Sequence, residues 1–375
     1  MTVPTTPSDL PPTAPDRPSG LRAMSACDCH ALTASQEDEP AGLALYAVSR
    51  HVGRKLALLL SARGWPLEMH EGAFLLPASA FDSLEEVLGA FSHTERPDLL
   101  AAPWTGKRLD PWRLAPLERW AQRLGSGWFA AASEQLHFHL QPVVTLASGA
   151  VYGYEALVRA EWEGQLLGAG ALLQAAAAHG QARAFDAHAR RGAIRQAYPR
   201  LRGEELLFIN FAPGVVYNPD ICLQTTFETC REVGADFSRL LFEVTESEAF
   251  PDLALLRRIL ERYRAEGARV ALDDLGAGHT SLTYLAELRP DIVKLDRDLV
   301  RGLHGADPRV PLVSALIRYA HDLGIRVVAE GLETEGEVRM VTDLGADYGQ
   351  GYFLGRPAAE ASGLAPQAAS LWAGR

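Results

Sequence analysis

The chain has 375 residues, with 36 Lys and Arg against 47 Asp and Glu and a formal net charge of −11. This acidic balance excludes a general affinity for polyanions, so neither DNA nor RNA is an expected partner. No apolar stretch approaches the ~20 residues that span a bilayer, and the N-terminus lacks the apolar core of a signal peptide. We therefore expect a cytoplasmic protein without membrane insertion.

The first third of the chain predicts a tail, a small domain and a connector. Residues 1–23 are rich in Pro, Thr and Ser, cannot bury apolar area and are predicted to be disordered. Residues 24–112 predict a small α/β domain with a regulatory role. Its predicted elements are a strand at 42–49, a helix at 51–64, a broken strand or hairpin at 66–77 and a helix at 83–91. Residues 113–133 predict a helical connector with a Gly-Ser interruption.

Residues 134–365 alternate short apolar strands with helices, and residues 366–375 are expected to form a C-terminal tail. Strands are predicted at 137–145, 151–159, 206–211, 240–245, 269–274, 291–296, 325–330 and 348–353. Helices are predicted at 171–178, 185–198, 227–233, 253–266, 281–288, 312–323 and 335–344. This alternation indicates an α/β fold, a (β/α)8 barrel of the TIM type. Because only Leu146–Ala150 separates the first two strands, they are predicted to pair antiparallel.

Polar side chains recur at or near the ends of these strands. They are Glu155, Asn210, Glu243, Asp273, Asp274, Lys294, Glu330 and Gln350. The carboxyl ends of parallel barrel strands meet at one mouth, so these side chains should converge. Hard oxygen ligands without His or Cys favour Mg²⁺ or Mn²⁺ over Zn²⁺. Crowded carboxylates favour two divalent ions, and two metals about 3.5–4 Å apart are the usual device for in-line attack on a phosphodiester. A lysine among the acids can hold the attacking water.

A series of short motifs carries a resemblance to a known family. The segment Glu155-Ala156-Leu157-Val158-Arg159 matches the motif that names the EAL family of cyclic-di-GMP phosphodiesterases, and the chain resembles this family over roughly 134–360. The other motifs are Gln141-Pro142-Val143, Ile209-Asn210, Glu243-Val244-Thr245-Glu246, Asp273-Asp274-Leu275-Gly276-Ala277-Gly278, Lys294-Leu295-Asp296, Ala329-Glu330-Gly331-Leu332-Glu333 and Gln350-Gly351-Tyr352-Phe353. Each string alone is weak, but their joint order and spacing are specific.

The resemblance implies a modified TIM barrel with one antiparallel strand that hydrolyses cyclic-di-GMP to linear pGpG. It implies two divalent cations, Mg²⁺ or Mn²⁺, with Ca²⁺ inhibitory, and a homodimer formed through the barrel. The implied ligands of the first metal are Glu155, Asn210, Glu243 and Asp273. Asp273 would bridge to the second metal, which Asp274 and Glu330 also bind.

The resemblance also implies roles for residues around the metals. Lys294 would orient the nucleophilic water with support from Asp296, and Glu330 would join these catalytic groups. Glu246 would anchor the loop 275–284, which in this family couples dimerisation to metal binding. The implied substrate contacts are Gln141, Arg159, Gln350 and Glu333.

Several alternative interpretations stay open beside the enzyme. A receptor that binds cyclic-di-GMP with little or no turnover typically lacks a metal ligand or the lysine, whereas this chain keeps them all. His137-Phe138-His139 resembles the two-histidine motif of amidohydrolase barrels, but the later strand ends carry acids and Asn. Cys27-Asp28-Cys29-His30 has no second half for a tetrahedral zinc site, so incidental thiols are favoured. The pair Arg190-Arg191 on a predicted helix is expected to form a solvated face.

Overall fold

The computed structural model describes residues 32, 40–65, 69–70, 72–105, 109–244, 252–276 and 282–373. The strands are β1 (Gly42–Ala47), β2 (Met69–His70), β3 (Ala73–Pro77), β4 (Leu99–Trp104), β5 (Ala115–Pro116), β6 (His137–Thr145), β7 (Val151–Trp162), β8 (Gln165–Leu167), β9 (Leu206–Phe211), β10 (Leu240–Val244), β11 (Arg269–Leu275), β12 (Ile292–Leu295), β13 (Arg326–Ala329) and β14 (Tyr348–Gly349). The α-helices are α1 (Arg50–Ala62), α2 (Leu84–Gly89), α3 (Leu117–Gly125), α4 (Phe129–Ser133), α5 (Ala169–Ala178), α6 (Ala182–Ala197), α7 (Pro219–Cys222), α8 (Gln224–Glu232), α9 (Leu253–Ala265), α10 (Leu282–Leu288), α11 (Arg297–Val300), α12 (Val310–Asp322), α13 (Glu335–Asp343) and α14 (Pro366–Ala369). Within these ranges no helix combines the length and apolarity that crossing a bilayer requires.

The N-terminal region contains a five-stranded sheet in the order β2-β3-β1-β4-β5, with antiparallel neighbours throughout. Helix α1 covers it with Val52, Leu56 and Leu60, whose spacing of four residues places them on one face. This confirms the predicted small α/β region, and the predicted broken strand is the β2–β3 hairpin. Two expected segments, the tail 1–23 and the motif Cys27–His30, lie outside the described residues.

The predicted connector divides between two hydrophobic cores. Helix α3 packs on the N-terminal core through Leu117 and Trp120. Helix α4 packs through Phe129 and Ala132 on a second cluster that includes Leu172 of α5. The two halves of this segment therefore stabilise different parts of the chain, and the domain boundaries stay a prediction.

Eight strands close into a barrel in the order β6-β14-β13-β12-β11-β10-β9-β7, and β6 pairs with β7 to complete the ring. Strand β6 runs antiparallel to both of its neighbours, whereas the other neighbouring pairs are parallel. Strand β8 is an additional short strand at the outer end of β7. The predicted fold class, a modified TIM barrel with one antiparallel strand, is confirmed. Its cause is the short turn between β6 and β7, which leaves no room for a crossover helix.

The barrel interior changes from apolar to polar along its axis. An apolar layer fills one end of the barrel and consists of Val143, Leu206, Phe208, Leu241, Ala271, Ile292 and Val328. Side chains two positions apart on a strand share a face, so the residues two positions later also point inward. Those residues include Asn210 after Phe208, Glu243 after Leu241 and Lys294 after Ile292. The side-chain period of the strands therefore places a layer of polar side chains next to the apolar layer inside the barrel.

The expectation of a solvated Arg190 was wrong. This side chain is only 2% exposed, and it joins three elements of the barrel's helical layer. Its Nε donates to Asp186 at 3.0 Å, and its Nη1 donates to Thr226 of α8 at 3.1 Å and to the hydroxyl of Tyr263 of α9 at 3.0 Å. Asp186 also accepts from the backbone N–H of Ala212 at 2.9 Å. The buried charge of Arg190 is thus paired with a carboxylate and hydrogen-bonded to two hydroxyl groups, as the burial of a charge requires.

The C-terminal segment up to residue 373 packs against the barrel beside the β6–β7 turn. The indole Nε1 of Trp372 donates to the carbonyl of Leu146 at 2.9 Å. Gly149 in the turn has a φ of +72°, and a Cβ added there would lie 2.6 Å from the Trp372 ring. Glycine thus provides both the turn geometry and the space for the tryptophan.

Candidate functional site

Lys294 lies at the centre of the polar layer and is only 1% exposed. Its Nζ atom forms ion pairs with oxygens of Glu243 at 3.0 Å, Asp273 at 3.3 Å, Glu155 at 3.8 Å and with Glu330. Four strands of the barrel supply these acids: β7, β10, β11 and the end of β13. The structure therefore gathers carboxylates that are far apart in sequence around a single ammonium group.

Two side-chain amides hold the carboxylate of Glu155. Asn210 of β9 donates through Nδ2 to Oε1 at 2.6 Å, and Gln350 donates through Nε2 to Oε2 at 2.7 Å. The buried amide of Gln141, which faces Glu155 across the β6–β7 pair, donates to the carbonyl of Gly355 at 3.2 Å. The orientation of Glu155 is thus fixed from both sides.

Asp273 and Asp274 reach the same mouth because the backbone departs from strand geometry. Consecutive residues of a regular strand point to opposite faces. Asp274 has a φ of +56°, in the left-handed region that Asp tolerates better than most residues, and the β11–β12 pairing shifts register here. As a result, one carboxylate oxygen each from Asp273, Asp274 and Glu330 lie within 4.8 Å of one another.

The electrostatics of this cluster reflect a shortage of positive charge. Burial and the neighbouring Asp273 raise the pKa of Glu330 to about 8, and the same two causes raise the pKa of Asp274 to about 6. Burial also raises the pKa of Glu243 well above its usual range, although Lys294 opposes this. One ammonium group cannot neutralise five carboxylates, so the cluster takes up protons or bound cations.

Glu155 and Lys294 behave differently from these acids. Burial alone would raise the pKa of Glu155, but the Lys294 charge and the amides of Asn210 and Gln350 outweigh it and lower the pKa. Burial alone would lower the pKa of Lys294, but Asp273 and the other carboxylates raise it well above its usual range. Of the five carboxylates in the cluster, Glu155 is thus the one whose pKa is lowered, and the carboxylates favour the cationic form of Lys294.

The residues present fit a divalent cation. Glu243 is 0% exposed, yet neither of its oxygens accepts a well-directed hydrogen bond from the described part of the chain, and neither does Oε1 of Gln350. The 3.0 Å approach of Lys294 to Glu243 is an ion pair without hydrogen-bond direction. A buried acceptor without a donor costs free energy, and carboxylate and amide oxygens are the ligands that Mg²⁺ and Mn²⁺ prefer. Across the described residues, only Asp273, Asp274 and Glu330 bring three possible acidic, His or Cys ligands together, so His137 and His139 join no such group.

An open cavity of about 210 Å³ leads to this cluster. The lining residues are Gln141, Glu155, Asp273, Lys294, Arg297, Glu330, Gly331, Glu333, Gln350, Gly351 and Tyr352. Arg297 and Tyr352 were not among the predicted site residues. Tyr352 lies inside the motif that begins at Gln350, and Arg297 directly follows the motif that begins at Lys294. Their closeness in sequence to the polar residues at the strand ends could therefore have identified both.

The remaining predicted residues surround the cluster without joining it. Glu333 accepts from Nη2 of Arg297 at 2.5 Å, and Arg159 donates to the carbonyl of Val158 at 2.8 Å. Asp296 caps α11 by accepting from the backbone N–H of Asp298 at 2.8 Å, and its charge helps to raise the pKa of Asp274. Glu246 lies outside the described residues, as do residues 277–281 of the predicted loop.

The barrel region is similar to known proteins in sequence and in fold. The family model of the EAL domain matches residues 129–357. NbdA of Pseudomonas aeruginosa, named a cyclic di-GMP phosphodiesterase, is 31% identical over 232 residues, which cover 61% of this chain and 30% of NbdA. The chain thus spans less than a third of the length of this relative.

Two solved structures are similar to the chain over different fractions of its length. A standalone EAL protein from Vibrio cholerae O395 in its c-di-GMP bound form is 29% identical, with a TM-score of 0.56, and covers 62% of this chain and 97% of its own. BlrP1 of Klebsiella pneumoniae, in a calcium and c-di-GMP complex, is 25% identical, with a TM-score of 0.57, and covers 83% of this chain and 84% of its own. Because residues 129–375 make up less than 83% of the chain, the similarity to BlrP1 extends into the region before the barrel.

Proposed function

Because the chain belongs to the EAL domain family, we propose that it is a metal-dependent phosphodiesterase that hydrolyses cyclic-di-GMP to linear pGpG in bacterial signalling. The observation that carries this proposal is the buried Lys294 inside a ring of four carboxylates, open to a cavity. The name of NbdA and the dinucleotide bound to the Vibrio cholerae protein support the choice of substrate.

We propose two metal positions at the barrel mouth. The ligands of the first are Glu155, Asn210, Glu243 and Asp273, and those of the second are Asp273, Asp274 and Glu330. Bound divalent cations would polarise the phosphodiester and make water a better nucleophile. We propose Mg²⁺ or Mn²⁺ as the active ions, because their tight octahedral geometry differs from the looser coordination of Ca²⁺.

The protein's own groups would orient and stabilise the reacting atoms. The carboxylates keep Lys294 protonated, so it would donate hydrogen bonds to the attacking water and to developing negative charge rather than remove a proton. Asn210 and Gln350 would hold Glu155 in its ligand orientation. Arg159 and Arg297 supply positive charge near the mouth, which an acidic protein needs in order to bind a phosphate diester.

The direct test is incubation of the purified full chain with cyclic-di-GMP and Mn²⁺, followed by chromatography. We expect pGpG to accumulate, and we expect its formation to stop when EDTA is added and to slow by about 10²–10³-fold when Lys294 is replaced by Ala. Binding of the dinucleotide without product would favour the alternative, a receptor with little or no turnover. Absence of both binding and product would refute the proposal.

Three further proposals concern the whole protein. We propose a homodimer formed through the barrel, which light scattering of the purified chain tests. We propose a cytoplasmic location, which fractionation of cells that express the full chain tests. We also propose that the N-terminal α/β region regulates the barrel, because α3 packs on its core while α4 packs beside α5 of the barrel.

A further inference from the structure

We propose that a buried network outside the barrel wall positions two of the metal ligands. The network consists of Asp186, Arg190 and Tyr263, and the ligands are Asn210 and Glu243. This inference rests on the proposed function, because the ligand roles belong to that proposal. The network residues are at most 7% exposed, lie on α6 and α9, and are not among the described residues that line the cavity. Any effect on the metal ligands must therefore pass through the strands that carry them.

Asp186 holds the backbone just beyond Asn210. Its Oδ1 accepts from the N–H of Ala212, the first residue after β9, at 2.9 Å. Asn210 lies two residues before Ala212 and donates to Glu155 at 2.6 Å. The bond from Ala212 to Asp186 therefore fixes the direction in which the chain leaves β9, and with it the place of the Asn210 amide at the barrel mouth.

The ring of Tyr263 packs on the outer face of the two strands that carry the ligands. It stacks on Phe242 of β10 with ring centres 3.9 Å apart, and it meets Phe211 of β9 edge-on with ring centres 5.4 Å apart. Consecutive residues of a strand point to opposite faces, so these two phenylalanines point outward. Their inward-pointing neighbours are Glu243 and Asn210, which are register partners. One ring thus contacts the outer neighbours of both ligands.

Arg190 joins Asp186 and Tyr263 into one unit. Its Nη2 lies 2.8 Å from Oδ2 of Asp186, and its Nη1 donates to the Tyr263 hydroxyl at 3.0 Å and to Thr226 at 3.1 Å. A satisfied network of buried polar groups rigidifies the structure around it. Metal ligands need such support, because a site binds tightly only when its ligands are held in one geometry. Loss of one partner should therefore loosen the support behind both strands.

Tyr198 provides a matched control within the same helical layer. Its hydroxyl accepts from the N–H of Asp236 at 2.8 Å, and its side chain packs against the same hydrophobic core as Tyr263. Asp236 precedes β10, whereas Glu243 lies near the other end of that strand. Tyr263→Phe and Tyr198→Phe each remove one hydroxyl and one hydrogen bond, but only the first lies behind the metal ligands.

The test measures the Mn²⁺ affinity of the purified full chain by calorimetric titration without substrate. Asp186→Asn should weaken Mn²⁺ binding about 10- to 100-fold, the usual effect of replacing a residue that orients a metal ligand. Tyr263→Phe keeps both ring contacts and should weaken binding about 2- to 10-fold, the effect of one hydrogen bond. Tyr198→Phe should bind Mn²⁺ as the wild type does. A merely structural role would lower the melting temperature of the metal-free variants and leave the Mn²⁺ affinity of the folded protein unchanged.

Each result decides for or against the inference. If the wild type binds Mn²⁺ and hydrolyses cyclic-di-GMP, but Asp186→Asn or Tyr263→Phe folds and binds Mn²⁺ as the wild type does, the inference is wrong and the proposed function stands. Equal weakening by Tyr198→Phe and Tyr263→Phe also overturns it. If circular dichroism shows that Asp186→Asn does not fold, Tyr263→Phe decides alone. If the wild type binds Mn²⁺ without hydrolysis, the proposed function fails and the affinities still decide the inference. If the wild type binds no Mn²⁺, both fail.

Discussion

The Nζ atom of Lys294 lies 3.0 Å from a carboxylate oxygen of Glu243, and both side chains are almost completely buried at the barrel mouth. Lys294 is the only cation that the described residues place within ion-pair distance of Glu243. Three further carboxylates share the same ammonium group. The site therefore has excess negative charge, and this excess is the physical basis of the following predictions about metal binding.

Glu155→Ala is expected to abolish hydrolysis without unfolding the protein. The substitution removes a proposed metal ligand and leaves the amides of Asn210 and Gln350 without their shared acceptor. Calorimetric titration with Mn²⁺ should show weaker binding, while circular dichroism should stay that of the wild type. Persistent activity in this variant would rule out Glu155 as a metal ligand.

Lys294→Ala is expected to keep metal binding but lose turnover by about 10²–10³-fold, the usual effect of removing one donor to developing charge. Without its ammonium group the acid cluster gains net negative charge, so Mn²⁺ should raise the melting temperature of the variant more than that of the wild type. Single-turnover kinetics and thermal unfolding at matched Mn²⁺ concentrations measure the two effects. A near-normal rate would remove Lys294 from the mechanism.

Ca²⁺ is expected to bind the site and inhibit. Ca²⁺ accepts six to eight oxygen ligands in loose geometry, whereas Mg²⁺ and Mn²⁺ favour a tighter octahedral arrangement. Rates of pGpG formation in Mg²⁺, Mn²⁺ and Ca²⁺, with a competition series of Ca²⁺ against Mn²⁺, test this. Equal rates in Ca²⁺ and Mg²⁺ would contradict the proposed geometry of the metal positions.

Gly351→Ala is expected to lower both stability and activity. The added Cβ would lie 2.2 Å from the backbone of Leu332, so the backbone at one of these two residues must shift. We expect this shift to disturb the neighbouring Gln350, which donates to Glu155. Forced overpacking of this kind typically costs about 1–3 kcal/mol. Gly336→Ala in α13 is the control, because its nearest atom would be 4.0 Å away and alanine suits a helix better than glycine. Urea unfolding of both variants should show destabilisation only at position 351.

Replacing Asp186 by Ala is expected to destabilise the protein by about 3–5 kcal/mol, because it leaves the buried guanidinium of Arg190 without its carboxylate. Arg195 lies on the same helix, and its ion pair with Glu232 of α8 is exposed to solvent. Arg195→Ala should therefore change the free energy of unfolding by less than about 1 kcal/mol. A loss of less than about 1 kcal/mol in the Asp186 variant as well would contradict this prediction.

The barrel could be predicted because its strands follow a simple rule. A strand has a side-chain period of two, so a polar residue that follows an apolar residue at that spacing shares its face, as Asn210 does after Phe208. The short link between β6 and β7 likewise determines their antiparallel pairing. These features depend on neighbours in sequence, and the structure confirms them.

Other features depend on residues far apart in sequence and could not be predicted from local patterns. Arg190 looked solvated because its partners Thr226 and Tyr263 lie on other helices. The shared mouth position of Asp273 and Asp274 requires the left-handed backbone at Asp274, which a strand pattern does not contain. The cavity-lining role of Arg297 depends on how α11 begins after β12 and could not be read from charge alone.

The metal positions can be tested most directly by anomalous diffraction from a crystal of the full chain grown with Mn²⁺. We predict two manganese peaks at the barrel mouth about 3.5–4 Å apart, the spacing of two-metal phosphodiester sites, with Asp273 between them. Absence of manganese from the carboxylate cluster around Lys294 would contradict the account.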